Sequence, residues 1–261
     1  MNYDIKPTQN VDTLSTPQSS DSNRCLIEVD HLSKVFNYGL FKRNHKQALN
    51  DVSFKIYENK CTAILGANGA GKTTLIEILC GLNKATSGQV KYYLGTENYK
   101  NQIGVQFQSS SYPNNLSAND IIKFVVKLYN IKRKESEINE LIDIFGIKRF
   151  LKKNAARLSG GEAQRLNTML ALIHNPKVIF LDELSTGLDI KIRTKIKTFI
   201  KDYAKEHGIT IVIVSHDLEE IEYLTEHIIF LRDGQKIVDD SLEAIKQKYG
   251  SLAHFLEANI V

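Results

Sequence analysis

The spacing of hydrophobic positions changes twice along the chain, and each spacing predicts a different kind of element. Short apolar or alternating segments predict strands over residues 26–29, 52–56, 62–65, 90–93 and 103–107. After residue 117 the apolar residues recur at helical spacing, with Ile138, Leu141, Ile142 and Phe145 on one face. From residue 178 apolar strands alternate with amphipathic helices, which predicts a largely parallel sheet covered on both faces.

Polar segments interrupt this pattern of hydrophobic positions. Residues 1–24 are rich in Ser, Thr, Asn, Gln and Asp, and we expect a disordered tail there. Residues 38–47 carry basic side chains around Gly39 and predict an extended loop. Ser117 and Asp120 have the spacing of a capping box at the start of a predicted helix. The sequence also predicts a capped helix over 241–249 and a short helical tail over 251–261.

Composition narrows the class of protein. The 34 Lys and Arg residues against 30 Asp and Glu leave a net charge of only +4, so we expect no nucleic-acid partner. The longest apolar runs fall far short of the roughly 20 residues that span a bilayer, and no signal peptide is predicted. Cys25, Cys61 and Cys80 are too few and too irregularly spaced for a disulfide framework or a zinc site, which favours a reducing compartment.

A glycine-rich segment after the predicted strand 62–65 fits the P-loop pattern G-x-x-x-x-G-K-[ST]. Glycines let backbone N–H groups face phosphate oxygens, and the dipole of the following helix adds to the attraction. Lys72 would supply a positive charge to the β and γ phosphates, and the Thr73 hydroxyl would be a Mg²⁺ ligand. The predicted nucleotide-binding segment is Gly66, Ala67, Asn68, Gly69, Ala70, Gly71, Lys72, Thr73 and Thr74.

Two further features extend this chemistry. Asp182 and Glu183 follow the apolar strand 178–181 and point in opposed directions, so one can enter a Mg²⁺ shell while the other faces a water. Ser159, Gly160 and Gly161 precede a helix and offer a second anion-binding end. A chain that binds one nucleotide would need only one anion-binding helix N-terminus, so the second one requires an explanation.

The second anion-binding end lies in a segment that resembles the LSGGQ signature of ATP-binding cassette (ABC) ATPases. The matching residues are Leu158, Ser159, Gly160, Gly161 and Glu162, with Glu162 where glutamine is usual. The P-loop, this segment and residues 178–183 occur in the family's order over about residues 25–250. The resemblance implies a single cassette with an α/β P-loop NTPase core, a mainly parallel sheet, an antiparallel β edge and an inserted helical subdomain at about 112–165.

The resemblance also implies roles for single residues. Gln108 would contact Mg²⁺, and Asp182 would hold the same ion. Asp189 would belong to the D-loop, which crosses a dimer interface in the family, although Leu184 replaces the usual proline before it. His216 resembles the switch histidine that contacts the γ phosphate. Phe36 resembles the aromatic residue that stacks on adenine, with Tyr38 as the alternative.

The implied activity is ATP hydrolysis in a head-to-tail dimer. Glu183 would polarise the attacking water, His216 would hold the geometry, and Lys72 would neutralise phosphate charge. Ser159 and Gly161 of one cassette would close over the ATP of a second cassette, identical or different.

The resemblance further implies a transporter subunit at the cytoplasmic face of a membrane, attached through an integral-membrane permease. The helical segment 119–145, with no regulatory domain after it, resembles type-two ABC exporters. The main alternative is a nucleotide-switched protein that acts on a soluble partner. A non-hydrolysing cassette is disfavoured because Lys72, Asp182, Glu183 and His216 are all present.

Overall fold

A computed structural model of the chain describes residues 24–38, 44–96, 98–107, 111–184 and 187–260. Most of the predicted polar tail, residues 1–23, lies outside the described residues. The strands are β1 (Cys25–Tyr38), β2 (Asn44–Tyr57), β3 (Cys61–Gly66), β4 (Ser87–Tyr92), β5 (Ile103–Gln106), β6 (Val178–Asp182), β7 (Thr210–Val214), β8 (His227–Arg232) and β9 (Gln235–Ser241). The helices are α1 (Lys72–Leu79), α2 (Ala118–Leu128), α3 (Glu135–Ile144), α4 (Gly160–Leu172), α5 (Ile190–His207), α6 (Leu218–Leu224), α7 (Leu242–Tyr249) and α8 (Leu252–Ile260).

The central sheet has six strands in the order β5-β6-β7-β3-β8-β9. β9 is antiparallel to β8, and the other neighbouring pairs are parallel. Every residue of β3, β6 and β7 is buried, as expected for parallel strands covered on both faces. The predicted mainly parallel sheet is confirmed, and the carboxyl ends of β3, β6 and β7 lie at one edge of it.

Alternate residues of the central strands enter two hydrophobic cores, because successive side chains of a strand point to opposite faces. In β6, Ile179 and Leu181 belong to a core that includes residues of α4 and α5. Val178 and Phe180 belong to a second core with residues of α1, β1 and β2. Burial on both faces holds each strand at a definite position along its length.

The antiparallel β edge is a separate sheet in the order β2-β1-β4. β1 and β2 are 14 residues each, much longer than the segments predicted at 26–29 and 52–56. The predicted loop over 38–47 is wrong where the chain is described, since residues 44–47 pair with β1 and Lys46 lies opposite Phe36. The side chains of His45, Lys46 and Gln47 are exposed, so this part of β2 carries no apolar signal.

No strand is predicted over β9, and the reason is similar. Its side chains alternate between exposed and half-buried, and it lies at the edge of the central sheet. Edge strands gain their place through backbone pairing and commonly carry charged side chains. The pairing of Ile229 with Asp239 illustrates this combination of an apolar strand and a polar one.

The helical segment packs onto the first core. Ser117 and Asp120 form the predicted capping box: Asp120 N–H donates to Ser117 Oγ at 3.2 Å, and Ser117 N–H donates to Asp120 Oδ2 at 2.9 Å. Two residues of α3, Leu141 and Ile142, are buried, as is Phe145 at its end. The helical face predicted from the apolar spacing is therefore the face that packs.

The last helix, α8, packs on the central sheet through an aromatic contact. Phe255 is fully buried and meets Phe230 of β8 edge to face, with ring centroids 5.3 Å apart and an interplanar angle of 79°. Such aromatic pairs add to the free energy gained by burial alone. Among the described helices, none combines the length and the apolar character needed to cross a bilayer.

We predict that Phe255→Ala lowers the free energy of unfolding by about 3–5 kcal/mol, because it opens a cavity between α8 and β8. The matched control is Phe124→Ala, since the Phe124 side chain on α2 is 61% exposed; its effect should stay within about 0.5 kcal/mol. Urea unfolding of both variants measures the difference. Equal effects would show that α8 contributes little to stability through Phe255.

Candidate active site

The predicted P-loop is the turn between β3 and α1. Gly71 has φ 100° and caps α1, which has no side-chain cap and no acidic residue in its first turn. A Cβ on Gly71 would lie 2.4 Å from the carbonyl oxygen of Ala48 in β2, so only glycine fits this approach of the loop to the second sheet. The first N–H groups of α1 are thus left for an external anion.

Lys72 begins α1 and its ammonium group lies inside the turn. Nζ donates to the carbonyl oxygens of Gly66 at 2.7 Å and Ala67 at 3.0 Å. Burial lowers the pKa of Lys72, and the carboxylates of Asp182 and Glu183 oppose that shift. A buried cation therefore faces two acids across the edge of the sheet.

The two acids follow one another at the end of β6. Asp182 is buried, and burial together with the charge of Glu183 raises its pKa, while Lys72 and His216 oppose the shift. Glu183 has φ 55°, and its N–H donates to the carbonyl of Val214 at the end of β7 at 2.8 Å. Its Oε1 lies 3.6 Å from Nε2 of His216, whose side chain is half exposed.

These groups surround one cavity of about 290 Å³. Gly66 ends β3, and Ala67 and Ala70 lie in the turn that follows; these three residues of the predicted segment do not line the cavity. Gln108 lies outside the described residues. The residues that line the cavity are Phe36, Lys46, Ala48, Asn68, Gly69, Gly71, Lys72, Thr73, Thr74, Asp182, Glu183, Val214 and His216.

Phe36 lines this cavity at its β1 side, and Lys34 Nζ lies 4.8 Å from its ring centroid. The side chain of the alternative, Tyr38, lies outside the described residues. Lys46 also lines the cavity, and the sequence alone did not indicate this, because residues 38–47 are predicted as a loop. The register of β1 with β2 brings Lys46 opposite Phe36 and so to the cavity.

Two of the predicted Mg²⁺ ligands, Thr73 and Asp182, lie at this cavity. The Thr73 hydroxyl and the Asp182 carboxylate line the same cavity and are hard oxygen donors. Ionisation of the buried Asp182 is disfavoured, so a cation beside it would offset a real cost. No group of three or more His, Cys, Asp or Glu residues suited to a metal occurs in the described part of the chain. The donors fit Mg²⁺ that keeps water and phosphate ligands, which is the usual mode for this ion.

The predicted signature segment lies at the start of α4, and none of its residues lines this cavity. Ser159 caps α4: its Oγ accepts from Glu162 N–H at 3.4 Å, and its own N–H donates to Glu162 Oε2 at 2.8 Å. Lys153 Nζ donates to the same carboxylate oxygen at 2.6 Å. A Cβ on Gly161 would lie 2.7 Å from the carbonyl oxygen of Gly187, so the segment touches the predicted D-loop.

The remaining residues of the predicted signature segment and D-loop lie beside α4 and α5. Leu158 is partly buried against the first core, and Gly160 is exposed. Asp189 caps α5, with its Oδ1 accepting from Ile192 N–H at 3.1 Å. Thr186, the first residue of the predicted D-loop, lies outside the described residues, as does Ser185 before it.

Two glutamines were not singled out from the sequence and contact the backbone of the acidic pair. Gln106 Nε2 donates to the carbonyl of Asp182 at 2.9 Å, and Gln164 Nε2 donates to that of Glu183 at 2.8 Å. A polar residue among apolar ones is the feature that could have indicated them. Gln106 ends an otherwise apolar strand, and Gln164 lies on the buried side of α4.

The chain is similar to known proteins in both sequence and structure. Residues 49–186 match the family described as "ABC transporter". The energy-coupling factor transporter ATP-binding protein EcfA1 of Ligilactobacillus salivarius is 34% identical over 226 residues, which cover 82% of this chain and 77% of that protein. The spermidine/putrescine import ATP-binding protein PotA of Spiroplasma citri is 32% identical over 80% of this chain. ABC transporter A family member 8 of Dictyostelium discoideum is 31% identical over 90%.

The chain spans 59% of the length of PotA and 29% of the Dictyostelium protein. Among solved structures, the dimeric post-hydrolysis state of the ATP-binding cassette MJ0796 bound to ADP and Pi has a TM-score of 0.72 and 26% identity. That likeness covers 83% of this chain and 98% of the cassette. A second dimeric structure of MJ0796, a bacterial ABC transporter cassette, has a TM-score of 0.73 and 27% identity. With a family match over more than half of its length and a relative at 34% identity, this chain belongs to the ABC transporter family as an ATP-binding cassette.

Proposed function

We propose that this chain hydrolyses ATP to ADP and phosphate and thereby powers transport through a separate membrane permease. The observation that carries the proposal is the single cavity lined by Lys72, Thr73, Asp182, Glu183 and His216. The cation and the uncapped helix N-terminus can stabilise charge on the phosphates, and a carboxylate with a neighbouring imidazole can position the attacking water, which suits phosphoryl transfer to water.

The proposed chemistry follows from the position of each group. Lys72 and the first N–H groups of α1 bind the β and γ phosphates. Glu183 holds and polarises the attacking water, and His216, 3.6 Å from Glu183, contacts the γ phosphate. Thr73, Asp182 and Gln108 would hold Mg²⁺, which when bound supplies positive charge to the phosphate oxygens. Phe36 stacks on the adenine base from the β1 side of the cavity.

We propose that each complete site forms between two cassettes. Ser159 and Gly161 lie at the start of α4 and do not line the cavity of their own chain, and the solved MJ0796 structures are described as dimeric. The N-terminus of α4 in one cassette would then meet the γ phosphate held by the other, with Asp189 at the interface. Because one chain carries both halves of a site, a homodimer would have two competent sites; pairing with a different cassette is the other arrangement.

The proposed organisation is a cassette over residues 25–250, with a helical subdomain at about 112–165, after a polar tail and before a short C-terminal helix. The cassette would sit at the cytoplasmic face of a membrane on integral-membrane permease subunits. We propose export as the direction, on the resemblance of the segment 119–145 to type-two exporters. The name of the PotA relative describes import for that protein, so direction is to be measured on the assembled transporter.

We predict that Glu183→Gln retains ATP binding, lowers kcat at least 100-fold and traps an ATP-bound dimer, because the amide cannot accept a proton from water. Phosphate release and size-exclusion chromatography with ATP measure the two effects. Glu206→Gln, an exposed position on α5, is the matched control and should behave as wild type. Unchanged turnover in Glu183→Gln would remove Glu183 as the catalytic carboxylate.

We predict that Lys153→Ala raises the KM for ATP about two- to fivefold at low salt, because it leaves the Glu162 carboxylate uncompensated at the proposed γ-phosphate contact. The effect should shrink as ionic strength rises. Glu162→Gln in the same chain should restore the KM, and Lys152→Ala is the control for loss of a neighbouring surface charge. A loss that persists in the Glu162→Gln background would contradict this electrostatic account.

The transport proposal has its own test. Purification of the tagged chain from detergent-solubilised native membranes, followed by mass spectrometry, should recover a polytopic membrane protein in stoichiometric amount. Recovery of only a soluble partner would favour the alternative, in which the cassette is a nucleotide-switched binding protein. In that case ATP hydrolysis by the chain could stand while its coupling to transport would not.

A further inference from the structure

The backbone that carries Glu183 has a conformation that needs support. Glu183 has φ 55°, in the left-handed region that residues other than glycine rarely adopt. It follows directly on β6, and its N–H donates to Val214 of β7. The carboxylate therefore starts from a strained turn, and its direction depends on what holds that turn in place.

Two buried side-chain amides contact the carbonyl oxygens of this turn. Gln106, 1% exposed at the end of β5, donates from Nε2 to Asp182 O at 2.9 Å. Gln164, 5% exposed on α4, donates from Nε2 to Glu183 O at 2.8 Å and to Leu184 O at 3.3 Å. Three successive carbonyls are thus bound from two different elements.

From these contacts we infer that Gln106 and Gln164 form an amide clamp that positions the Glu183 carboxylate for hydrolysis. The inference rests on the proposed function of Glu183. Both glutamines contact backbone oxygens, so they are positioning residues. Without them, the carbonyls of a buried turn would lack these hydrogen-bond partners, and the turn would relax from its strained φ.

The chemistry of glutamine suits this role. A Lys or Arg at either position would also reach carbonyl oxygens, but its charge would pair with Asp182 or Glu183. A neutral amide donates hydrogen bonds and leaves both carboxylates available to Mg²⁺ and water. The clamp thus orients the acids without competing for them.

The clamp also connects Glu183 to two predicted ligand-binding segments. Gln164 lies five residues after Ser159 on α4, and within that helix Thr168 Oγ1 donates to the carbonyl of Gln164 at 2.9 Å. Gln106 lies two residues before Gln108. A displacement of α4 would act on the backbone of Glu183, and a displacement of β5 would act on the backbone of Asp182 directly before it.

The decisive variant is Gln164→Met, which keeps the length of the side chain and removes both donors. We expect kcat to fall about 10- to 100-fold, as for a small misplacement of a catalytic group, with the KM and the dissociation constant for ATP within twofold of wild type. The control is Thr168→Val, which removes a buried hydrogen bond one turn further along α4 and keeps the Gln164 amide. It should lose a similar amount of thermal stability and keep its kcat.

A second readout separates positioning from general damage. In the Glu183→Gln background, Gln164→Met should cause no further fall in the residual single-turnover rate, because there is no carboxylate left to misplace. If Gln164→Met does not fold, Gln106→Met tests the clamp from the β5 side, with the same expected loss of kcat at unchanged KM.

Three results would overturn the clamp: a wild-type kcat in the folded variant, a loss no larger than that of Thr168→Val, or an equal fold-loss in the Glu183→Gln background. A wild-type chain without ATPase activity would instead refute the proposed function. Normal hydrolysis that depends on Glu183 but not on either glutamine would refute the clamp alone.

Discussion

The whole candidate site depends on the burial of a parallel sheet between two hydrophobic cores. Alternate side chains of β3, β6 and β7 enter the two cores, so none of these strands can slip by one residue without reversing which side chains face which core. Their carboxyl ends therefore meet at a fixed edge. Lys72 follows β3, Asp182 ends β6 with Glu183 directly after it, and His216 follows β7. Residues that are more than 140 positions apart become neighbours through this one constraint.

The edge of the sheet concentrates charge that the fold itself does not fully satisfy. Burial disfavours the charged forms of both Lys72 and Asp182, and each partly compensates the other. Beside them α1 begins without a side-chain cap. A polyphosphate with a divalent cation would compensate both charges, and this is the physical basis of the proposed nucleotide binding at this edge.

The N-termini of α1 and α4 differ in how they are capped. α1 begins with a glycine and no cap, whereas α4 begins with a full capping box closed by Ser159 and Glu162, with Lys153 on the same carboxylate. The glutamate that departs from the usual family residue is thus held in place and balanced by a cation of its own chain. In a dimer this would keep a negative charge from opposing the phosphate of the partner's nucleotide.

The sequence by itself determined the local features. The P-loop turn, the apolar strands of the parallel sheet, the capping box at Ser117 and the helical face of α3 depend on residues within a few positions of one another, so their signals are complete in the chain. The family, too, could be identified from the order of such segments. The roles of single residues remain predictions, and Gln108 lies outside the described structure.

Only the tertiary structure decided the features that depend on pairing between distant segments. The length of β1 and β2 and the presence of β9 depend on backbone hydrogen bonds between strands. The polar side chains of these segments give no sequence pattern from which that pairing could be predicted. Lys46 reaches the cavity through strand register. Gln106 of β5 reaches the carbonyl oxygen of Asp182, and Gln164 of α4 reaches that of Glu183. Every residue has a backbone carbonyl that can accept a hydrogen bond, whatever its side chain. The residue types of the two partners therefore do not predict such a bond, and only the folded chain shows it.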